Sequence, residues 1–266
     1  KNNEYIWDYD SEEIKLLEII EKKIENNTSL KEDYTKLYLY ILCCYKSNLS
    51  NKIKLKIFAL RHVFEDIFYK ILIDNNEKED ANKNDIIKIG NIQNNMSKSI
   101  AKQYNDNPYP RWQTTPDIKQ KELNKIINTS IFPNKILINE RKDSLDVLIA
   151  GCGTGMVAVS AAKLYKNSNI YAFDLSLNSL AYAKRMADEN KLENITFYQA
   201  DILEIEKINK KFDVIECTGV LHHMSKPLDG LAALLSVLKS DGYLRISLYS
   251  TLARAFVTKI RKETNT

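Results

Sequence analysis

An apolar stretch, Leu145–Ala150, runs straight into Gly151-Cys-Gly-Thr-Gly155, and a small-residue run through Val157, Val159, Ala161, Ala162 and Leu164 follows. Three glycines at alternate positions are poorly suited to the inside of a helix or a strand, so the chain must turn there. Glycine permits a tight turn and lets a ligand approach peptide groups that a side chain would block. A helix starting at the end of such a turn also offers free N–H groups and positive partial charge. Plain packing is the other use of a glycine-rich turn. The pattern that follows repeats the theme: strands over 169–174, 195–199, 212–217 and 242–249 alternate with helices over 177–190 and 228–238, with a turn at Ser240-Asp241. Such alternation predicts an α/β fold, a doubly wound parallel sheet with helices on both faces.

The first hundred residues read differently. Ile14, Leu17, Ile20 and Ile24 recur at helical spacing behind Ser11, an expected N-cap. Leu37, Ile41 and Cys44 continue in a second helix, and Ile57, Leu60, Phe64, Ile67 and Ile71 mark a third, all read as a helix-packing core. The polar run 74–85 has no apolar face and is expected to be a linker. The domain reading is therefore a helical region over 1–100, a connecting segment rich in Pro and aromatic residues over 101–142, and an α/β domain over 143–266. No tetratricopeptide period is visible in the first hundred residues.

Composition narrows the function classes. The longest apolar run, 37–45, is bounded by Lys36 and Lys46 and falls short of the roughly 20 residues that cross a bilayer, so no membrane partner is expected. A formal charge of +4 on 266 residues argues against a nucleic-acid partner. Four cysteines and three histidines form no CxxC pair and no metal-ligand spacing, so no metal site is expected, and free thiols fit a reducing, cytoplasmic setting. Cys43 and Cys44 fall in an apolar helical pattern and are expected to be buried.

Asp174 ends the second strand, 19 residues after Gly155, where a carboxylate can accept from both hydroxyls of a ribose or cap the next helix. A dinucleotide fingerprint places its third glycine at position 156, which here is Met156. Together with Ala172-Phe-Asp174, Gln199-Ala-Asp201-Ile, Phe212-Asp-Val-Ile-Glu-Cys217 and Gly219-Val-Leu-His-His-Met224, the glycine segment resembles the class I S-adenosylmethionine-dependent methyltransferases. That resemblance implies a Rossmann-like sheet and S-adenosylmethionine as cofactor. It also implies roles by position. Gly151, Cys152, Gly153 and Gly155 would line the methionine and ribose end, and Asp174 the ribose. Leu175 would pack near the adenine, with Asp201 accepting from its amino group and Ile202 adding apolar contact. Glu216 and Cys217 would face the methionine and the transfer site. Ile149 stands where many members carry an acidic residue, which removes one contact to the cofactor's amino group.

His222 and His223 follow the fourth strand, where a histidine can act as general base or can shape the loop. The tract Gln103-Tyr-Asn-Asp-Asn-Pro-Tyr-Pro-Arg-Trp112 resembles a segment that precedes the methyltransferase domain in a bacterial subgroup, often attached to tetratricopeptide repeats. Tyr104 or Arg111 could close over cofactor or acceptor, or the tract could be a rigid aromatic connection. Amino-methylating nucleic-acid enzymes resemble a pattern with adjacent prolines after the fourth strand. Here Tyr109 separates Pro108 from Pro110, and Glu216-Cys-Thr-Gly occupies the strand end. The expected acceptor is a small molecule, a glycan or a protein side chain. A cofactor-binding but inactive regulatory module and a nucleotide-dependent oxidoreductase are the alternative readings. The family's usual helix and final antiparallel hairpin need more than the 17 residues from 250 to 266, so the expectation is either a C-terminally incomplete domain or a sheet that ends after its fifth strand.

Overall fold

The computed structural model describes residues 10–26, 31–45, 49–136, 138, 144–250 and 252–264. The chain divides into two compact units, 1–81 and 82–266. In the first, α1 (Ser11–Asn26), α2 (Glu32–Tyr45) and α3 (Asn51–Ala59) are followed by α4 (Asp66–Tyr69). Their core gathers Leu17, Ile24, Leu39, Leu42, Ile53 and Ile57. The cap of α1 is Asp10, not Ser11: its Oδ1 accepts the N–H groups of Glu12 and Glu13, while its own N–H donates to Glu13. In α2 the buried face is Thr35, Leu39, Leu42 and Cys43, so Leu37 and Cys44 of the expected stripe are exposed. The third expected helix breaks at a turn over Arg61–Val63, and the side chains of Ile67 and Ile71 lie outside those described.

The polar run is not a linker. A π turn over Lys70–Asp74 carries α4 directly into α5 (Asn75–Asn82), which ends in a turn over Lys83–Asp85. Extending an existing helix avoids the nucleation step, so even a run dominated by Asn and Asp, with no apolar face of its own, can continue as helix.

The second unit holds β1 (Ile87–Lys88), α6 (Asn95–Asp106), α7 (Leu123–Ser130), β2 (Leu145–Ala150), α8 (Met156–Leu164) and β3 (Ser168–Asp174). It continues through α9 (Leu177–Glu189), β4 (Ile195–Gln199), β5 (Phe212–Thr218), α10 (Pro227–Ser236), β6 (Leu238–Ser247) and α11 (Ala255–Thr264). The sheet order is β1-β4-β3-β2-β5-β6, and every pairing among these strands is parallel. Alternate residues divide the core. Val147, Ile149 and Ala172 face α8 and α9, whereas Leu148, Ala150 and Phe173 face the other way, with Leu234 of α10. This is the doubly wound architecture that the strand and helix alternation predicts. The expected turn at Ser240-Asp241 instead lies inside β6, whose pairing with β5 shifts register between Phe212 and Val214. The boundary near residue 100 also moves: α6 and the tract after it belong to the unit that contains the sheet. Among the described residues no helix is long and apolar enough to cross a membrane.

Candidate functional site

Strand order reverses between β2 and β5, the two strands that leave a crevice at their carboxyl ends in sheets of this kind. A cavity of about 510 Å³ opens there. The glycine turn after β2 forms one side of it. Peptide N–H groups of Gly151 and Cys152 both donate to the Phe173 carbonyl at 2.8 Å, which ties the turn to β3.

The glycines do different work. Gly155, at φ +87°, is the N-cap of α8, and a Cβ there would lie 2.5 Å from Cβ of Ala183 and 3.0 Å from its Cα. Its small size lets α8 start against α9, and it does not line the cavity. The expected cofactor contact at Gly155 is therefore corrected to a packing role. Gly153, at φ +53°, lines the cavity, and nothing lies within 4 Å of where its Cβ would be. That is the open approach to backbone that a bound ligand requires.

Asp174 joins the two turns. Its Oδ2 accepts the Gly153 N–H and its Oδ1 the Ser176 N–H, each at 2.8 Å. Burial pushes its carboxyl pKa up, while backbone N–H groups of Ser176, Gly153 and Leu175 pull the other way. Asp201, buried after β4, accepts the Leu203 N–H at 3.1 Å through Oδ1. Leu175, Ile202 and Cys152 complete this side of the cavity. Burial and the Asp174 charge push the Cys152 thiol up, so it stays protonated and serves as apolar lining.

Glu216 and Cys217 do not meet the expectation. Glu216 shares a face with Val214, on the α8 side. Its Oε1 accepts the Tyr165 hydroxyl at 2.7 Å, and Oε2 lies 3.5 Å from Nη1 of Arg245. Cys217 is fully buried among Ile215, Leu221 and Leu234, and burial raises its pKa to about 11. Neither lines the cavity; Thr218, Gly219 and Val220, immediately after them, do. Ile149, in register with Glu216, is likewise core.

The two histidines separate. His223 is exposed and lines the cavity. His222 does not: its ring lies 4.2 Å from that of His223 and 4.0 Å from that of Tyr249, and both its nitrogens are buried with no hydrogen-bond partner. Desolvation, with His223 and Arg254 nearby, lowers its pKa, so a proton is hard to place on it. His222 is thus a packing residue. Arg111 is corrected in the same way, because its guanidinium lies 4.5 Å over the Tyr182 ring and is absent from the cavity lining. Tyr104 does line the cavity. So do Tyr109, named in sequence only as an aromatic face of the tract, and Met96 and Ile100, which went unnoticed; the spacing of four from Met96 to Ile100 to Tyr104 was the available signal.

A family model described as a methyltransferase domain matches residues 141–266. An uncharacterised protein of Synechococcus sp. is 36% identical over 117 residues, 44% of this chain and 28% of that protein. The release factor glutamine methyltransferase of Lactococcus lactis is 32% identical over 44% of this chain and 45% of its own length. The ubiquinone biosynthesis O-methyltransferase of Glaesserella parasuis is 31% identical over 45% of this chain and 53% of its own. The chain thus spans about half the length, or less, of these relatives. With the matching sheet and glycine turn, residues 141–266 belong to the class I S-adenosylmethionine-dependent methyltransferases.

Proposed function

We propose that this chain binds S-adenosylmethionine at the β2–β5 switch point and transfers its methyl group to a small-molecule, glycan or protein acceptor in a reducing, cytoplasmic setting. The observation that carries the reading is convergence: the Asp174 carboxylate, the Asp201 carboxylate and the open side of Gly153 all meet one cavity. These residues fit the cofactor. Asp174 would accept from the ribose hydroxyls, with Leu175 and Ile202 against the adenine and Asp201 accepting from its amino group. Gly151, Cys152 and Gly153 would carry the methionine end on backbone groups. S-adenosylmethionine supplies a sulfonium-bound methyl group open to direct displacement.

What the chain itself contributes is alignment and exclusion of water. His223, on the β5 side of the same cavity, would take the proton from an acceptor hydroxyl or amine as the methyl group arrives. The breadth of acceptor classes is supported by the relatives, one named for a release-factor glutamine and another for an O-methyl step of ubiquinone biosynthesis.

Equilibrium binding of S-adenosylhomocysteine to wild type and Asp174→Ala tests the site. Removing hydrogen bonds to a charged group costs about 1.5–3 kcal/mol, roughly a 10- to 150-fold rise in Kd. The variant is expected to stay folded. An unchanged Kd would leave Asp174 only the task of holding the two turns.

A further inference from the structure

Residues 94–112 lie outside the parallel sheet, yet they are fastened to both turns that shape the cavity. Asn94 caps α6 by accepting the Met96 N–H at 2.8 Å. The buried positions of α6, Ser97 and Ala101, are small, spaced by four, and allow close packing of α6 on α9. At its far end, Asn105 Oδ1 accepts the Ser176 hydroxyl at 3.0 Å and the Asn178 N–H at 3.1 Å. The Asn105 carbonyl accepts from the Asn178 side-chain amide at 2.7 Å. Ser176 is the N-cap of α9, and its own N–H donates to Asp174. The end of α6 is therefore tied to the turn that holds the Asp174 carboxylate.

A second tie lies a few residues on. The Thr154 hydroxyl, in the glycine turn, donates to the Pro110 carbonyl at 2.6 Å, and the Trp112 indole N–H donates to the Thr154 carbonyl at 2.9 Å. Tyr182 of α9 donates its hydroxyl to the Trp112 carbonyl, and the two rings meet edge to face. Thr154 and Trp112 are both buried. Between these ties, Tyr104 and Tyr109 line the cavity, and Met96 and Ile100 extend the same apolar surface. Tyr109 is 53% exposed and Met96 46% exposed, although both are large and apolar. Burial and the nearby Asp174 charge push the Tyr104 phenol up, so the ring is neutral and close to that carboxylate.

We propose that residues 94–112 form a fixed second wall of the cofactor site, in which Tyr104 and Tyr109 contact bound S-adenosylmethionine and Thr154 is the positioning residue that holds them there. The inference rests on the methyltransferase reading above. Cofactor, not acceptor, is the ligand this wall serves, because its ties go to the β2–α8 and β3–α9 turns. The acceptor side of the cavity belongs to the loop after β5, where Thr218 and His223 lie. A wall tied to Thr154 and Ser176 cannot shift without moving the glycine turn and Asp174.

Calorimetric titration of the full chain with S-adenosylhomocysteine tests this without knowledge of the acceptor. Wild type is expected to bind. Tyr104→Leu and Tyr109→Ala are each expected to raise Kd about threefold to tenfold with little change in Tm. Thr154→Val, which removes the hydroxyl donor at nearly constant volume, is expected to raise Kd by a similar factor, and Thr154→Ser to restore it to within about twofold. A purely structural strap would instead lower Tm in Thr154→Val and leave Kd alone. Wild type binding normally while both tyrosine variants bind just as tightly would overturn the wall. Failure of wild type to bind is a different result: it removes the methyltransferase reading, and the wall with it.

Discussion

His223→Ala is expected to slow methyl transfer by about 10²–10⁴-fold, the usual cost of losing a general base, while the Kd for S-adenosylhomocysteine stays within about twofold. His223 is the member of the pair that an acceptor can reach. It ends the short turn Leu221–His223 directly after β5, its N–H donates to the Val220 carbonyl at 2.9 Å, and its side chain is exposed on the cavity. His222 is placed to do the opposite. With both nitrogens buried and unpartnered between His223 and Tyr249, it has no path by which to exchange a proton with an acceptor. Single-turnover rates with a methyl acceptor, measured beside cofactor binding, separate the two roles. Equal rates in His223→Ala and wild type would assign the pair to loop shape alone, and methyl transfer would then depend on alignment.

Gly155→Ala should destabilise the sheet unit by about 2–5 kcal/mol, combining a left-handed backbone cost of about 1–2 kcal/mol with overpacking of about 1–3 kcal/mol. The overpacking follows from the 2.5 Å approach to Cβ of Ala183, with that residue's Cα at 3.0 Å, so relief requires α8 and α9 to part. In a unit of this size the loss corresponds to a fall in Tm of roughly 5–15 °C. Gly153→Ala carries a backbone cost too, at φ +53°, but its methyl group enters open space. Its larger effect is therefore expected in cofactor affinity. Thermal unfolding and binding measured on both variants should show opposite rankings. Similar losses of Tm in the two would contradict the division of labour between these glycines.

The same contrast explains what the sequence could and could not convey. Alternating strands and helices from Leu145 onward are a local pattern, and they yield the parallel sheet almost strand by strand. That Asp174 and Asp201 line the cavity was legible, because each ends or follows a strand at the carboxyl edge where such sheets bind ligands. Gly155 was not, since its role is set by Ala183, 28 residues later and on another helix. The orientation of Glu216 and Cys217 was hidden for a different reason. All six residues from Phe212 to Cys217 are buried, so β5 has no polar and apolar alternation to reveal which face each side chain takes. In sequence Arg111 stands in a tract of aromatic residues, where closing over cofactor or acceptor is one of two readings. Only the fold brings Tyr182 beneath it. The polar run before β1 failed as a linker because helix continuity from α4, not burial of an apolar stripe, decides its structure.

Preference for a single adenosine-based sulfonium cofactor over a dinucleotide is what the cavity at the β2–β5 switch should show. Its sequence basis is the third glycine at Gly155 with Met156 after it, and its structural basis is the meeting of Asp174, Asp201 and Gly153. Isothermal titration of the wild-type chain with S-adenosylmethionine, S-adenosylhomocysteine and NAD, under one set of conditions, measures that preference. Saturable one-to-one binding of the first two, with NAD weaker than either, is the predicted result. NAD binding as tightly as S-adenosylhomocysteine, or neither sulfur ligand binding at all, would contradict it.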